Sequence, residues 1–409
     1  MPRILGPQDR RHCAVHAKSK WSQNASARTP SKGNEVKNIK AAAICAVVGV
    51  ALAGVAIASP ANADPVSNSY TLVGSDTLQD VSNALVNGTA ISGASVRAVT
   101  SSGDTLGSFD AFGSATIQTR STGIYFGRPS GSGDGVKALS RSIDGAPYTP
   151  ASGLAPATVI TGQVDIARSS SGPGNNANAS GALAYVPFGR DAVTYAYNGT
   201  SATLGSITAA QLTQIYSCVA GANVINGVTV QPLLPQSGSG TRKFFLGAIG
   251  VTDNAALVSC VTNNGANPTF ASVNENDGTA LAAPGQIAPF SVASFVAQSN
   301  NAAQNRVGTA QLGSPTGIAP FTGTGSALVP NSSYYSNATF GRDTYVVVEF
   351  ARIDNTNAKF EQPLADLVNP GKAKSLTNFS AGPTTSGSVK SKFGFLPPSS
   401  TTILRANAS

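Results

Sequence analysis

The stretch LPQSGSGTRKFFLGAIG, Leu234 to Gly250, sets the main constraint on how this chain can fold. A strand-like segment runs into a Gly/Ser/Thr turn, and the turn runs into an apolar segment with helical spacing. The stretch has no Asp or Glu, and Arg242 and Lys243 follow the turn directly. The same rhythm recurs in GSDTLQDVSNAL (Gly74 to Leu85) and GSGDGVKAL (Gly131 to Leu139). A helix start leaves backbone N–H groups unpaired and carries partial positive charge. A glycine-lined helix mouth with hydroxyls therefore suits an anion. Taken singly, such a loop is usually just a turn with a capping residue. Three of them, each after a strand, pose the question of whether they converge on one ligand.

The rest of the chain alternates in the same way. Strands are expected in SYTLV (Ser69 to Val73), SVRAVTSS (Ser95 to Ser102) and ATVITGQVDIARSSSGP (Ala157 to Pro173). ALAYVPFGRDAVTYAYN (Ala182 to Asn198) reads as one strand or two, and IAPFSVASFVAQ (Ile287 to Gln298) and RDTYVVVEFARI (Arg342 to Ile353) as strands. Thr208 is placed to cap a helix in which Leu212, Ile215 and Tyr216 share a face. The polar stretch from Asn300 to Asn337 reads as surface loops. Strands alternating with helices argue for an α/β protein rather than a sandwich.

The start of the chain reads as an export signal. AAAICAVVGVALAGVAIASPANA (Ala41 to Ala63) follows Lys37 and Lys40 and ends in Ala61-Asn62-Ala63, a small-x-small pattern cleaved after Ala63. A membrane anchor is the alternative, although the run is near the short limit for spanning. Cys45 lies at the start of the run, where it is a poor lipid-attachment site. All His (His12, His16), Trp21 and Met1 fall within residues 1–63, so the mature part has none of these types. The leader also holds nine Lys/Arg and two Asp/Glu, which leaves 18 and 17 of the chain's 27 and 19. The net charge thus falls from +8 to about +1, and the basic balance gives no support for nucleic-acid binding. Cys218 and Cys260 remain; in an exported chain they are expected to form a disulfide, with two buried thiols as the alternative.

Catalysis is poorly supplied. No His remains to serve a nucleophile, no G-x-S-x-G stretch stands at an elbow, and the Asp residues are dispersed without His ligands. Neither a metal nor a cofactor is expected, and a binding protein is favoured over an enzyme.

The order GSDTL, GSGDGV, VDIARSSSGP, YVPFGRDAVTYAYN, LTQIYSCV, PQSGSGTRKFF resembles the phosphate-binding proteins of ABC transporters, which are periplasmic-binding-protein-like receptors. The resemblance covers most of the mature chain and is most specific at Ser239-Gly240-Thr241 and then at Gly131-Ser132-Gly133. It implies a two-lobed α/β fold, each lobe a mixed sheet flanked by helices, with the ligand in the cleft between them. Residues 64–194 would form lobe I, 195–300 lobe II, and 301–409 the C-terminal part of lobe I. It implies an extracellular monomer that captures an oxyanion, inorganic phosphate first, for an ABC permease. By position, Thr77 offers hydroxyl and N–H, Leu78 its N–H, Ser132 and Ser239 their hydroxyls, and Gly240 and Thr241 their N–H groups. Two positions depart from the pattern. Ser170 stands where the family has an Asp that accepts the ligand's proton, and Pro235 where it has an Arg. Arg168 could supply the cation or be a structural ion-pair residue, and Asp76 or Asp134 could supply the acceptor. Without a placed acceptor, discrimination against sulfate should weaken. A secreted adhesin or wall-binding protein that keeps the fold without transport, and an exported hydrolase, are the alternatives.

Overall fold

In the computed structural model, which describes residues 64–65, 69–100, 102–263 and 273–409, a nine-stranded mixed sheet carries the fold. Its strands are β1 (Tyr70–Gly74), β2 (Leu106–Ser108), β3 (Ile166–Ser169), β4 (Leu183–Asn198), β5 (Gln231–Pro232), β6 (Gln286–Ser291), β7 (Ala310–Leu312), β8 (Gly341–Glu349) and β9 (Leu404–Ala406). The order is β5-β6-β4-β8-β3-β1-β2, with β7 and β9 also paired to β4. Flanking helices are α1 (Gln79–Asn87), α2 (Ser132–Asp144), α3 (Ala209–Tyr216), α4 (Gly240–Ala248), α5 (Ala255–Asn263) and α6 (Val292–Ser299). No described helix is long and apolar enough to cross a membrane. The leader, Cys45 and the cleavage point after Ala63 lie outside the described residues.

β4 is the long element, and its partners change along its length. Leu183 to Ala192 pair antiparallel with β8, whereas Val193 to Tyr197 pair with β6 and Ala196 to Asn198 with β7. All its residues but Arg190 are buried, as expected for a strand covered on both faces. One strand forms instead of two because each end finds its own ladder. The register slips once, where Thr344 faces Gly189 and Tyr345 faces Pro187. Pro187 has no N–H to offer a ladder, and bulges are where sheets accept proline.

The cores follow this division. Buried apolar residues from Ala192 to Phe340, apart from Ala293 and Ala297, form one cluster. Residues 70–188 and 346–395 with those two alanines form a second, and a third lies on the other face of β1, β3 and β8. Adjacent residues show the two faces: Leu72 packs with α1 through Val81 and Leu85, and Val73 packs with α2 through Val136 and Leu139.

Several sequence expectations change in the structure. Ser95 to Ser102 is not a strand: Val96 and Ala98 are buried alternately, but only one bridge, Thr89 to Val96, forms there. The alternation reflects burial without a ladder partner. Ile287 to Gln298 splits at Ser291, whose hydroxyl accepts from Ser294 N and starts α6. The Asn300 to Asn337 stretch carries β7 and the helical turn Ser332–Tyr335, and its Val307, Leu312, Leu328, Tyr334 and Tyr335 are buried in the 192–340 cluster. It therefore packs with the middle segment rather than with the C-terminal part, since β7 pairs with the far end of β4. The helix at Thr208 forms with a capping box to Gln211, as its sequence indicates. Cys218, just after α3, is disulfide-bonded; the side chain of Cys260 lies outside the described residues.

α2 approaches β1 through glycine on both sides. A Cβ on Gly135 would lie 2.5 Å from Gly74 Cα, a backbone atom that cannot swing aside. Gly135→Ala is therefore expected to destabilise the protein by about 1–3 kcal/mol or more, read as a lower midpoint in urea unfolding.

Candidate functional site

The three glycine turns do converge. Gly133 N donates to Gly238 O at 3.1 Å, joining the mouth of α2 to the turn before α4. Gly240 sits so close to Ser132 and Ser170 that a Cβ there would lie 2.4 and 2.5 Å from their hydroxyl oxygens. Those two hydroxyls are 3.0 Å apart, and Ser170 N donates to Ser132 Oγ at 2.9 Å. From the mouth of α1, Thr77 Oγ1 lies 3.2 Å from Thr241 Oγ1 in the first turn of α4. Thr77, Ser132, Ser170, Gly240 and Thr241 are all buried. Leu78 precedes α1 with its side chain fully buried in the core.

At the centre of this cluster lies a residue that no sequence argument singled out. Glu275 is fully buried, and Thr77 Oγ1 donates to its Oε1 at 2.8 Å. Ser239 Oγ donates to its Oε2, while the same Ser239 hydroxyl accepts from Arg242 N at 2.9 Å to cap α4. The carboxyl of Asp76 faces Glu275, and no donor reaches either Asp76 oxygen among the described residues. Two ionised carboxylates in that position would repel. Burial pushes Asp76 well above the usual carboxylate range, reinforced by the charge of Glu275. Burial also opposes ionisation of Glu275, but the charge of Arg342 and the hydroxyls of Ser239 and Thr77 hold it below its ordinary value.

The cation at the site is Arg342 of β8, not Arg168. Arg342 Nη2 donates to Thr241 Oγ1 at 2.7 Å, to Thr77 Oγ1 at 3.3 Å and to Asp191 Oδ2 at 2.8 Å. Among the described residues its Nη1 has no acceptor, although the residue is only 3% exposed. Asp191 of β4 is the cross-strand partner of Arg342, and it also accepts from Ser291 Oγ and Ala293 N, both at 3.0 Å. Arg168 is fully buried, with its guanidinium bonded to Ser75 O (3.2 Å), Ser108 Oγ (2.6 Å) and Phe109 O (2.5 Å). It ties β1 and β2 to β3 and is not bonded to the hydroxyl cluster. Burial lowers its pKa to about 10 against the raising effect of Asp110, Asp76 and Asp80. Asp134 is likewise committed, accepting from Ser130 N and Ala151 N. Pro235 offers only its carbonyl, which accepts from Arg242 Nη1 at 3.0 Å; Arg242 is otherwise paired with Asp253.

Arg342 and Asp191 were legible in principle. Each is a charged residue inside a strand that is otherwise buried on both faces, and such a charge must find a partner. Glu275 had no such signal, because it stands in the polar stretch Asn274-Glu275-Asn276-Asp277. Among the described residues no group of three His, Cys, Asp or Glu is placed to hold a metal ion.

No protein-family model matches the chain, and no curated protein does. Among solved structures the chain is similar to an ABC-type phosphate transport receptor from Vibrio cholerae, at 15% identity over 80% of this chain and 100% of that one, TM-score 0.46. It is also similar to a phosphate-binding protein from Stenotrophomonas maltophilia, at 15% identity over 82% of this chain and 91% of that one, TM-score 0.40.

Removing Arg342 while keeping Asp191 would leave a buried carboxylate without its cation. Arg342→Gln is expected to cost about 3–5 kcal/mol of stability, measured by denaturant unfolding.

Proposed function

We propose that this chain is a solute-binding receptor that captures an oxyanion, inorganic phosphate first, and delivers it to an ABC permease. The observation that carries the reading is the buried Arg342 Nη1, a cationic donor without an acceptor among the described residues, on a guanidinium bonded to two hydroxyls of three converging helix mouths. Thr77, Ser132, Ser239 and Thr241 supply hydroxyls, Leu78, Gly240 and Thr241 supply N–H groups, and Ser170 adds a hydroxyl beside Ser132. Arg168 is replaced in this reading by Arg342. Asp76 stands near the position of the acceptor that Ser170 does not supply, but a carboxyl pushed toward its protonated form can donate as well as accept, so discrimination against sulfate stays weak.

The packing supports a division into two lobes: residues 64–191 with 341–409, and residues 192–340. Donors come from both, so binding closes the cleft. The receptor is exported, cleaved after Ala63, and acts outside the cell as a monomer without catalysis. No imidazole stands beside the serine hydroxyls of the mature chain, which argues against an exported hydrolase.

Titration calorimetry of the mature protein with phosphate, sulfate and a sugar phosphate tests the reading. Phosphate should bind, and sulfate should compete with it. Ser132→Ala should weaken phosphate by about tenfold, since a bond to a charged group contributes about 1.5–3 kcal/mol. Absence of heat with both phosphate and sulfate at millimolar concentration would overturn it. The Cys218–Cys260 bridge has its own check: thiol labelling of the folded exported protein should give no signal, and labelling of both would exclude the bridge.

A further inference from the structure

Glu275 joins residues of different parts of the chain. Its loop belongs with the 192–340 segment: Val273 N donates to Leu234 O at 3.2 Å, and Gln298 Nε2 donates to Asn276 O at 2.7 Å. On that side its carboxylate is bonded by Ser239. On the other side Thr77 donates to it and the Asp76 carboxyl faces it. Across β8, Arg342 adds its charge while remaining bonded to Asp191, and Arg168 lies behind Asp76. Glu275 is thus an anion held by hydroxyls from both segments, in the place where the preceding reading seats a free oxyanion.

The charges allow only one occupant. Arg342 is already paired with Asp191, so Glu275 has no guanidinium to itself. Adding an oxyanion beside it would bury a second uncompensated negative charge, which is prohibitively costly in a desolvated site. The hydroxyls of Thr77 and Ser239 each have one proton to give, and both are given to Glu275.

We infer that Glu275 is an internal stand-in for the ligand: its carboxylate latches the empty cleft by taking the Thr77 and Ser239 hydroxyls, and an incoming oxyanion has to displace it. The latch rests on the oxyanion reading for what displaces it, but not for its own existence. It would keep the empty receptor closed and its donors satisfied, at the expense of ligand affinity. The displaced carboxylate would turn away within its own segment, because Val273 and Asn276 keep the loop anchored.

The test compares wild type with Glu275→Gln and Glu275→Ala, each checked for native circular dichroism. Phosphate is titrated by calorimetry, and the ligand-free proteins are measured by small-angle X-ray scattering. Glu275→Gln should bind phosphate about tenfold or more tightly than wild type, a gain of about 1.4 kcal/mol. Ligand-free Glu275→Ala should have a larger radius of gyration than wild type, and phosphate should reduce it. Unchanged or weaker phosphate binding in Glu275→Gln would overturn displacement and make Glu275 a ligand contact instead. An unchanged radius in ligand-free Glu275→Ala would overturn the latch. If no protein in the series binds phosphate, the oxyanion reading fails, and the scattering comparison still decides whether Glu275 holds the cleft shut.

Discussion

The buried pair of Arg342 and Asp191 lies where the two parts of the sheet meet. The two residues face each other across β8 and β4, at the point where β4 passes from one ladder to the next. A buried ion pair by itself contributes little, because desolvation offsets the attraction. This one is completed by its surroundings. Asp191 takes one first-turn N–H of α6, that of Ala293, and the capping hydroxyl of Ser291, a favourable place for a carboxylate. Arg342 is thereby held with Nη2 against Thr77 and Thr241. One cross-strand pair thus ties α6, the two halves of the sheet and the hydroxyl cluster together.

Close backbone approach does the rest of the assembly. Gly74 against Gly135, Gly131 against Gly238 and Gly240 against Ser132 leave no room for a Cβ at any of the three contacts. Gly74 and Gly131 also hold positive φ values of +109° and +106°, which L side chains rarely adopt. These glycines let α1, α2 and α4 bring their starts to one place. The converging N–H groups make that place favourable to negative charge. The charge found at that place is the protein's own, on Glu275.

The electrostatics of the cluster explain why it is not simply a basic pocket. The guanidinium of Arg342 faces the carboxyl groups of Asp191, Glu275 and Asp76, and burial pushes Asp76 toward its protonated form. Hydroxyls rather than cations are most of the side-chain donors in the cluster, and such donors are short and fixed by their helix starts. The near balance of charge over residues 64–409, 18 Lys/Arg against 17 Asp/Glu, agrees with this arrangement.

The rhythm of strand, glycine turn and helix determined the α/β class and pointed to the three turns that meet, because those features depend on local spacing and on residues that relieve steric limits. Thr208's capping box and the strand–turn–helix order around Ser239 were legible for the same reason. The tertiary structure alone decided which charges face the cluster. Arg168 lies within a few residues of Ser170, yet its guanidinium is drawn under β1 and β2 by Ser75 O, Ser108 and Phe109 O. Arg342 is more than a hundred residues from either helix mouth it serves and arrives through β8's pairing with β4. Glu275 comes from a polar loop with no periodicity, and only the packing of Val273 and Asn276 aims it inward. Long-range pairing sets these placements, and a local pattern carries no record of which distant strand or loop a buried charge will meet.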